Sequence, residues 1–480
     1  EKNDKGMSNL ILLLYAVTFC VLYEISLQRF PTLGADHTLP NIRSLEDSTS
    51  PWKNFKSQSF IVFDADNAIP MNNPKDIHAR RTFKIDEIFQ KIHKEIDVED
   101  ESTRCQRYGF SFRKGSKRRR IFLGALVASE TIDVLRIHAT EAYNVYHTVA
   151  LIESNTTFRQ TPRELRYTPG TPLNRLLKSG LFGNETNVFV DLWWKKARDA
   201  RGMVRESLQR ESILYRWKQQ GMSPQDIGIV GDIDEFFSRD FLRAAQICDV
   251  PEFKVNDCRN PKIAALSTTY ESSPYCQREQ QWYHPDMILG SCIEGIGDPS
   301  GRISPIREYH RRHGSRMEGH GGGESHEYRQ EYATLKRYPL WTPQDFREAG
   351  DKTRQQTWVD HRWSVGYHLH NFLDGSFESV RNKYVTYGHG KYGVDKLPLS
   401  RIANDLDLVV RCIHNLSNDA SPSMPARVEK PFHEFEGPQP IFFVNVTYCQ
   451  YRHKHLQNLI RQDELKFGSV YDNISRAEMI

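Results

Sequence analysis

The stretch Asp226–Asp240, DIGIVGDIDEFFSRD, constrains this chain more than any other. Ile227–Val230 reads as a buried strand, and Asp232, Asp234 and Glu235 follow it at once. In open α/β sheets ligands bind at the carboxyl ends of strands, so carboxylates placed there form a candidate site. Strand alternation puts Asp232 and Asp234 on one side of the chain. Two such carboxylates repel unless something positive lies between them. Their oxygens suit a hard divalent cation, Mn²⁺ or Mg²⁺, which commonly shares its coordination sphere with substrate phosphate. The expectation is a metal held by Asp-x-Asp that clamps a diphosphate. An Asp-x-Asp on its own more often caps a helix or faces water. Here the apolar run sets it apart, because charges seldom follow one so closely unless paired or ligated. Ser238 then fits as the N-cap of a helix over Arg239–Ile247.

Upstream, apolar runs alternate with helical periods. Ile121–Val127, His147–Ile152 and Asn187–Trp193 read as strands, and Ile132–Tyr143 and Met203–Gln220 as helices. With Ile227–Val230 these give βαβ units and a mixed, mostly parallel sheet flanked by helices, an α/β fold of the Rossmann-like kind. Beyond residue 250 the pattern loosens. Residues 263–269, 286–293 and Ile441–Val446 are strand candidates, and a helix is expected near 452–465. The stretch 298–350 is rich in Arg, His and Gly and reads as a solvated loop, not core. Ser421–Pro431 is a Pro-containing linker.

The N-terminus has a different character. Leu10–Leu27 is apolar apart from Glu24 and Ser26, near the length a spanning helix needs, with Lys2 and Lys5 before it and Arg29 after. With no Ala-x-Ala-like cleavage site behind it, the run reads as an uncleaved signal anchor, and the lysines favour a cytoplasmic N-terminus. The expected plan is a tail and anchor over 1–29, a stem over 30–119, a catalytic domain over 120–400 and a C-terminal extension over 401–480. A helix over Ile85–Ile96 and the basic run 113–120 fall within or beside the stem. Asn-x-Ser/Thr sequons at Asn155, Asn184, Asn415, Asn445 and Asn473 agree with a lumenal body. Seven of the eight cysteines lie outside the anchor, spaced too widely for a zinc knuckle. Disulfides are expected, with at least one thiol left over. The net charge of +4 over 480 residues is too small to point to nucleic acid.

One rival motif exists. Ile61-Val62-Phe63 runs into Asp64-Ala65-Asp66, the pattern that opens phosphohydrolases with an aspartyl nucleophile. Ala68 stands where such enzymes usually have Thr or Val, and a surface turn is the blander reading. A non-catalytic glycan-binding membrane protein is the other alternative.

Taken together, the motifs resemble glycosyltransferase family 17, whose known type is the β-1,4-mannosyl-glycoprotein 4-β-N-acetylglucosaminyltransferase. Glu130–Ile137 is similar to the family's acidic residue followed by a helix, and Val149–Phe158 to its apolar strand ending in Glu-Ser/Ala-Asn. Asp226–Asp240 is similar to its Asp-Asp-x-Asp-Glu segment, and Gly366-Tyr367-His368 to its Gly-Trp-His. Gly231 replaces an Asp, Phe236-Phe237 an Ile-Pro, and Leu369-His370-Asn371 stand where Cys and Trp are usual. Those departures bear on the acceptor more than on the chemistry. The resemblance implies a GT-A-like fold and inverting transfer of N-acetylglucosamine from UDP-GlcNAc to a mannose of an N-glycosylated protein. It also implies a single-pass type II protein of the Golgi membrane. Asp232 and Asp234 would hold Mn²⁺ or Mg²⁺, with His368 a further ligand or phosphate contact. Glu153, Asn155 and Asp232 would face the nucleotide, which would leave the Asn155 sequon unmodified. Glu235 or Asp360 would serve as base. Trp282 and Tyr283, or Trp363 and Tyr367, could stack on sugar rings.

Overall fold

The computed structural model describes residues 59–63, 101–158, 160–194, 203–253, 258, 262–278, 282–297, 340–348, 365–372, 377–386, 393–418, 426–427, 440–444 and 446–467. In chain order the elements begin with β1 (Ser59–Phe63), α1 (Glu101–Arg107), β2 (Ser111–Phe112), β3 (Ile121–Val127), α2 (Ile132–Glu141), β4 (Thr148–Ser154), α3 (Pro172–Lys178) and β5 (Asn187–Trp194). Then come α4 (Met203–Gln219), β6 (Ile227–Asp232), β7 (Glu235–Phe237), α5 (Arg239–Ile247), β8 (Cys248–Asp249), β9 (Lys262–Ala264), β10 (Ser267–Glu271), β11 (Cys276–Gln277) and β12 (Asp286–Leu289). The C-terminal part adds α6 (Pro343–Glu348), β13 (Gly366–His370), α7 (Phe377–Thr386), α8 (Leu399–Ile402), α9 (Asn404–Asn418), β14 (Ala426–Arg427) and α10 (Val446–Phe467).

The main sheet has the order β1-β5-β4-β3-β6-β12-β9. Its four central strands, β5, β4, β3 and β6, are parallel, and β1, β12 and β9 are antiparallel to their neighbours. β3 is buried at every residue, as a parallel strand covered on both faces must be. Alternate side chains feed two cores. Ile121, Leu123, Ala125 and Val127 pack with α2 and α5, while Phe122 and Leu126 pack with Ile213 and Trp217 of α4. Trp217 lies so close to β6 that a Cβ at Gly228 would come within 2.7 Å of its ring. The mixed, mostly parallel sheet read from the sequence is therefore present.

A second sheet, ordered β14-β11-β10-β13-β7, grows from the same chain turn. β6 ends at Asp232, Ile233 and Asp234 form a turn, and β7 opens the second sheet against β13. The alternation argument that put Asp232 and Asp234 on one side of a strand does not reach Asp234, because the strand stops first. Ser238 caps α5 by accepting from the Phe241 N–H at 3.4 Å.

The segment expected as stem contributes to this body. β1 pairs with β5, the outermost of the parallel strands, and so forms the edge of the sheet, and α1 is joined to the end of α5 by the Cys105–Cys248 disulfide. Cys258–Cys292 and Cys276–Cys412 are the other described bridges, and Cys449 is free and buried. Three corrections concern the C-terminal half. Residues 263–269 are two strands, β9 and β10, not one. Ile441–Val444 is a 3-10 turn, not a strand, because a short apolar run fits either. Part of the supposed loop 298–350 is core: Leu340 and Trp341 are buried, and α6 follows them.

Among the described residues no helix is long and apolar enough to cross a membrane. The expected anchor over Leu10–Leu27, the helix over Ile85–Ile96, Asp64, Asp66, Asp360, Trp363 and the His-rich stretch before residue 340 lie outside the described residues.

Candidate active site

Asp232 sits where β6 reaches the carboxyl rim of the parallel strands, opposite Leu126 of β3. Two arginines hold it. Arg210, from α4, donates Nη2–H to Oδ1 at 2.9 Å, and the Arg347 guanidinium of α6 lies 3.7 Å from Oδ2. Burial alone would raise this carboxyl, but the two guanidinium groups outweigh it and hold it below the usual aspartate range. Asp232 is thus already neutralised by protein.

Asp234 is in the opposite condition. Burial, and then the charges of Asp232 and Glu235, push its carboxyl well above the ordinary value, and Lys383 offsets this only in part. Its backbone carbonyl accepts the Leu369 N–H at 2.8 Å, which fixes the turn to β13. A half-buried carboxylate with a surplus of negative neighbours is a place for added positive charge. Its hard oxygen suits Mn²⁺ or Mg²⁺, so the donor set fits the expected ion.

Glu235 does not fit the role of acceptor base. It is almost fully buried, and its carboxylate takes a bidentate pair of hydrogen bonds from Arg347 at 2.7 and 2.9 Å. It also accepts the Trp282 indole N–H at 2.8 Å and the Asp232 backbone N–H at 2.9 Å. With four donors on its two oxygens, this carboxylate is occupied by the protein and has no free edge to offer an acceptor hydroxyl. Its place is to brace the turn. Gly231 makes room for it: a Cβ there would come within 2.9 Å of Pro285 and 3.3 Å of the Glu235 carboxylate.

His368 pairs with Glu235 across β13 and β7 and stacks on Trp282, with ring centroids 4.8 Å apart. Burial, and then the charges of His370, Lys383, Arg347 and His284, hold its ring well below the usual histidine range, so it is neutral. Its Nδ1 is buried without a hydrogen-bond partner, which leaves one ring nitrogen able to ligate. Trp282 is committed to Glu235 and His368, and Tyr367 is core, packed on Phe236. Of the described aromatics expected to stack on sugar, Tyr283 is the exposed one.

Glu153 also departs from expectation. It ends β4 with no exposed surface and accepts the N–H groups of Arg166 and Tyr167 at 2.6 and 3.1 Å. Burial lifts its carboxyl to about 7. It shapes the loop after β4 instead of facing a nucleotide. Asn155 is half-buried at the start of that loop, where its carbonyl accepts the Arg163 N–H at 2.8 Å.

Four residues beyond the expected set complete the site. Arg210 and Arg347 are described above. Arg210 had a signal, the Glu206 partner four residues earlier, which pairs with it at 2.5 Å. Arg347 had none, lying in a stretch with no helical period. His138 on α2 binds the Ile233 carbonyl through Nδ1 at 2.9 Å and stacks on Phe236, so it supports the turn from below. Glu130, in the β3–α2 loop, lies within electrostatic reach of both aspartates, and burial raises its carboxyl. A separate group, Glu271, His370 and Asp405, has metal-like spacing. Arg278 already bridges its carboxylates at 3.0 and 2.8 Å, so it is an ion-pair cluster.

β1 runs antiparallel to β5, with Phe63 opposite Val190. Its carboxyl end at Phe63 therefore lies toward the amino rim of the parallel strands.

Against known families, residues 83–259 match the model described as Glycosyltransferase family 17. That span includes β3 to β6 and the Asp232–Glu235 turn. No curated protein matches the chain.

Proposed function

The protein is a glycosyltransferase that carries family 17 sequence over residues 83–259, and we propose that it transfers N-acetylglucosamine from UDP-GlcNAc to a mannose of an N-glycan, with inversion. The observation that carries the reading is the turn Asp232–Glu235, which lies inside the matched segment and joins the two sheets at the carboxyl rim. The donor sugar and the acceptor come from the resemblance of the motifs, and the surplus negative charge at Asp234 supports a cation there that would bridge to a diphosphate.

In this reading Asp234 holds Mn²⁺ or Mg²⁺, with Asp232 beside it and His368 as a further donor. When bound, the cation supplies the positive charge that a departing diphosphate needs. Arg347 and Arg210 fix Asp232, and Glu235 fixes Arg347, so the turn is held before substrate arrives. Inversion also needs a base for the acceptor hydroxyl. Asp360 remains a candidate. Among the described residues Glu130 suits the task, because a carboxyl raised by burial is a stronger base than an exposed one and it lies in the field of both aspartates. The three disulfides and the exposed sequon at Asn184 support an oxidising, lumenal setting, for which we propose the Golgi membrane.

The test is a screen of UDP-sugars for metal-dependent release of UDP, with and without an N-glycan acceptor. UDP-GlcNAc should be preferred, and EDTA should abolish release. Asp234→Asn should lower transfer by about 10²–10³-fold. Glu130→Gln should lower kcat by about 10²-fold and leave the donor KM unchanged. No release from any UDP-sugar by folded protein would sink the reading.

A further inference from the structure

A cavity of about 480 Å³ opens between the N-terminus of α2, the loop around Glu164–Arg166, the N-terminus of α3 and one face of α10. Its place follows from topology. α2 and that loop leave the carboxyl ends of β3 and β4, the same rim on which Asp232 closes β6. Arg166 links the two regions: it lines the cavity and donates Nη1–H to the Glu130 carbonyl at 3.2 Å. Glu130 in turn feels both aspartates of the turn.

The fourth wall comes from outside the family-matched segment. α10 presents Tyr451, which is 52% exposed, with His455 one turn on and its ring nearly parallel at 14°. The helix is anchored there, because Arg452 donates to the Ser272 carbonyl at 2.8 Å and lies over Phe372. An exposed tyrosine on a fixed helix offers a broad contact face at small entropic cost.

The charges decide what fits. Asp133, which pairs with Arg136 at 3.9 Å, and Glu164 line the cavity, and so do Arg166, Arg452 and His455. With carboxylates and guanidinium groups interspersed, the lining favours neither an anion nor a cation. It does offer acceptors and donors together, which is what a ring of hydroxyl groups needs. The volume is in the range of small-ligand sites. We propose that this cavity seats a neutral sugar of the acceptor glycan, stacked on Tyr451 and hydrogen-bonded by Asp133 and Glu164. The inference rests on the glycosyltransferase reading and adds to it where the acceptor lies. It also gives the C-terminal helix a part in substrate choice.

The full chain is titrated calorimetrically with a mannose-containing N-glycan oligosaccharide in the presence of UDP and Mn²⁺, and transfer kinetics are measured in parallel. Tyr451→Ala should weaken oligosaccharide binding and raise the acceptor KM by about tenfold or more. Tyr451→Phe should keep both close to wild type. Glu164→Gln, at an exposed site, should also raise the acceptor KM. UDP release without acceptor should not change in any of the three. No oligosaccharide binding by the wild type, or equal binding by Tyr451→Ala, overturns the inference. Absence of UDP release by the wild type overturns the transferase reading instead, and the titration still decides the cavity.

Discussion

Asp232 and Asp234 are the same residue type two positions apart, and their surroundings drive them in opposite directions. Asp232 has Arg210 and Arg347, and its carboxyl is held low. Asp234 is raised well above the ordinary value by burial and by Asp232 and Glu235. A carboxyl raised in the folded state stabilises the fold below its unfolded value, near 3.8, and loses that contribution as pH rises. Holding Asp234 as an anion is therefore a cost to the fold unless a cation offsets it. Asp234→Asn, which should lower transfer by about 10²–10³-fold, should at the same time raise metal-free stability, by on the order of 1 kcal/mol at pH 7. The gain should vanish near pH 4, where the wild-type carboxyl is protonated. Urea melts of both proteins at the two pH values check this. A variant less stable at pH 7 would mean that Asp234 is compensated by the protein itself. The division of labour inside Asp-x-Asp could not be read from the sequence, because it depends on Arg347, which lies 113 positions beyond Asp234 in a stretch without pattern.

At the scale of elements, strand β3 was legible because seven consecutive apolar or small residues admit little besides a buried strand at that length. α5 was legible for a different reason: Ser238 marks its start, and the amphipathic run ends at Cys248. What stayed hidden was long-range. Helix α1 lies in a segment with weak local pattern, yet Asp240 of α5 gathers Arg104, Arg107 and Tyr108 at 2.8, 2.6 and 2.8 Å. No local period announces a contact that spans more than 130 positions. The same limit explains Glu235. As a side chain beside Asp-x-Asp it looked like a base, and only the packing of α6 shows it bound to Arg347. Asp240→Asn removes the charge that gathers α1 and should cost about 1–2 kcal/mol, since Asp240 is partly exposed. Hydrogen exchange over residues 101–112 should quicken while β3 and β4 keep their protection. Uniform quickening across the sheet would show that α1 and the sheet open together.

The whole molecule carries two opposed sets of buried titrating groups. Glu141 and Glu153 are each lifted to about 7, in both cases chiefly by burial. Glu141 is central to the fold, accepting from the Arg239 N–H at 2.9 Å and from the Ile441 N–H, so it ties α2 to α5 and to the C-terminal segment. Because these carboxyls are raised, their stabilisation is complete below about 4.5 and is lost as pH climbs to about 7. The buried histidines act the other way. Burial lowers His138 to about 4 and also lowers His368. Their contribution is complete above the unfolded value of about 6.5 and is lost as pH falls toward 4. The two windows overlap, so the slopes offset each other between pH 5 and 6.5. Below about pH 4 a third set takes over: Asp232, Glu271 and Asp286 are held low by cationic neighbours despite burial, and stability falls as they protonate. The wild type should therefore show a denaturation midpoint that changes little from pH 5 to 6.5 and drops below 4. In the double variant Glu141→Gln, Glu153→Gln only Glu130 and Asp234 still oppose the histidines, and stability should fall on acidification from 6.5 to 5, by on the order of 1 kcal/mol. Chemical denaturation at four pH values separates the outcomes, and a double variant whose profile stays flat would show that the carboxyls and the histidines do not titrate against each other in the fold.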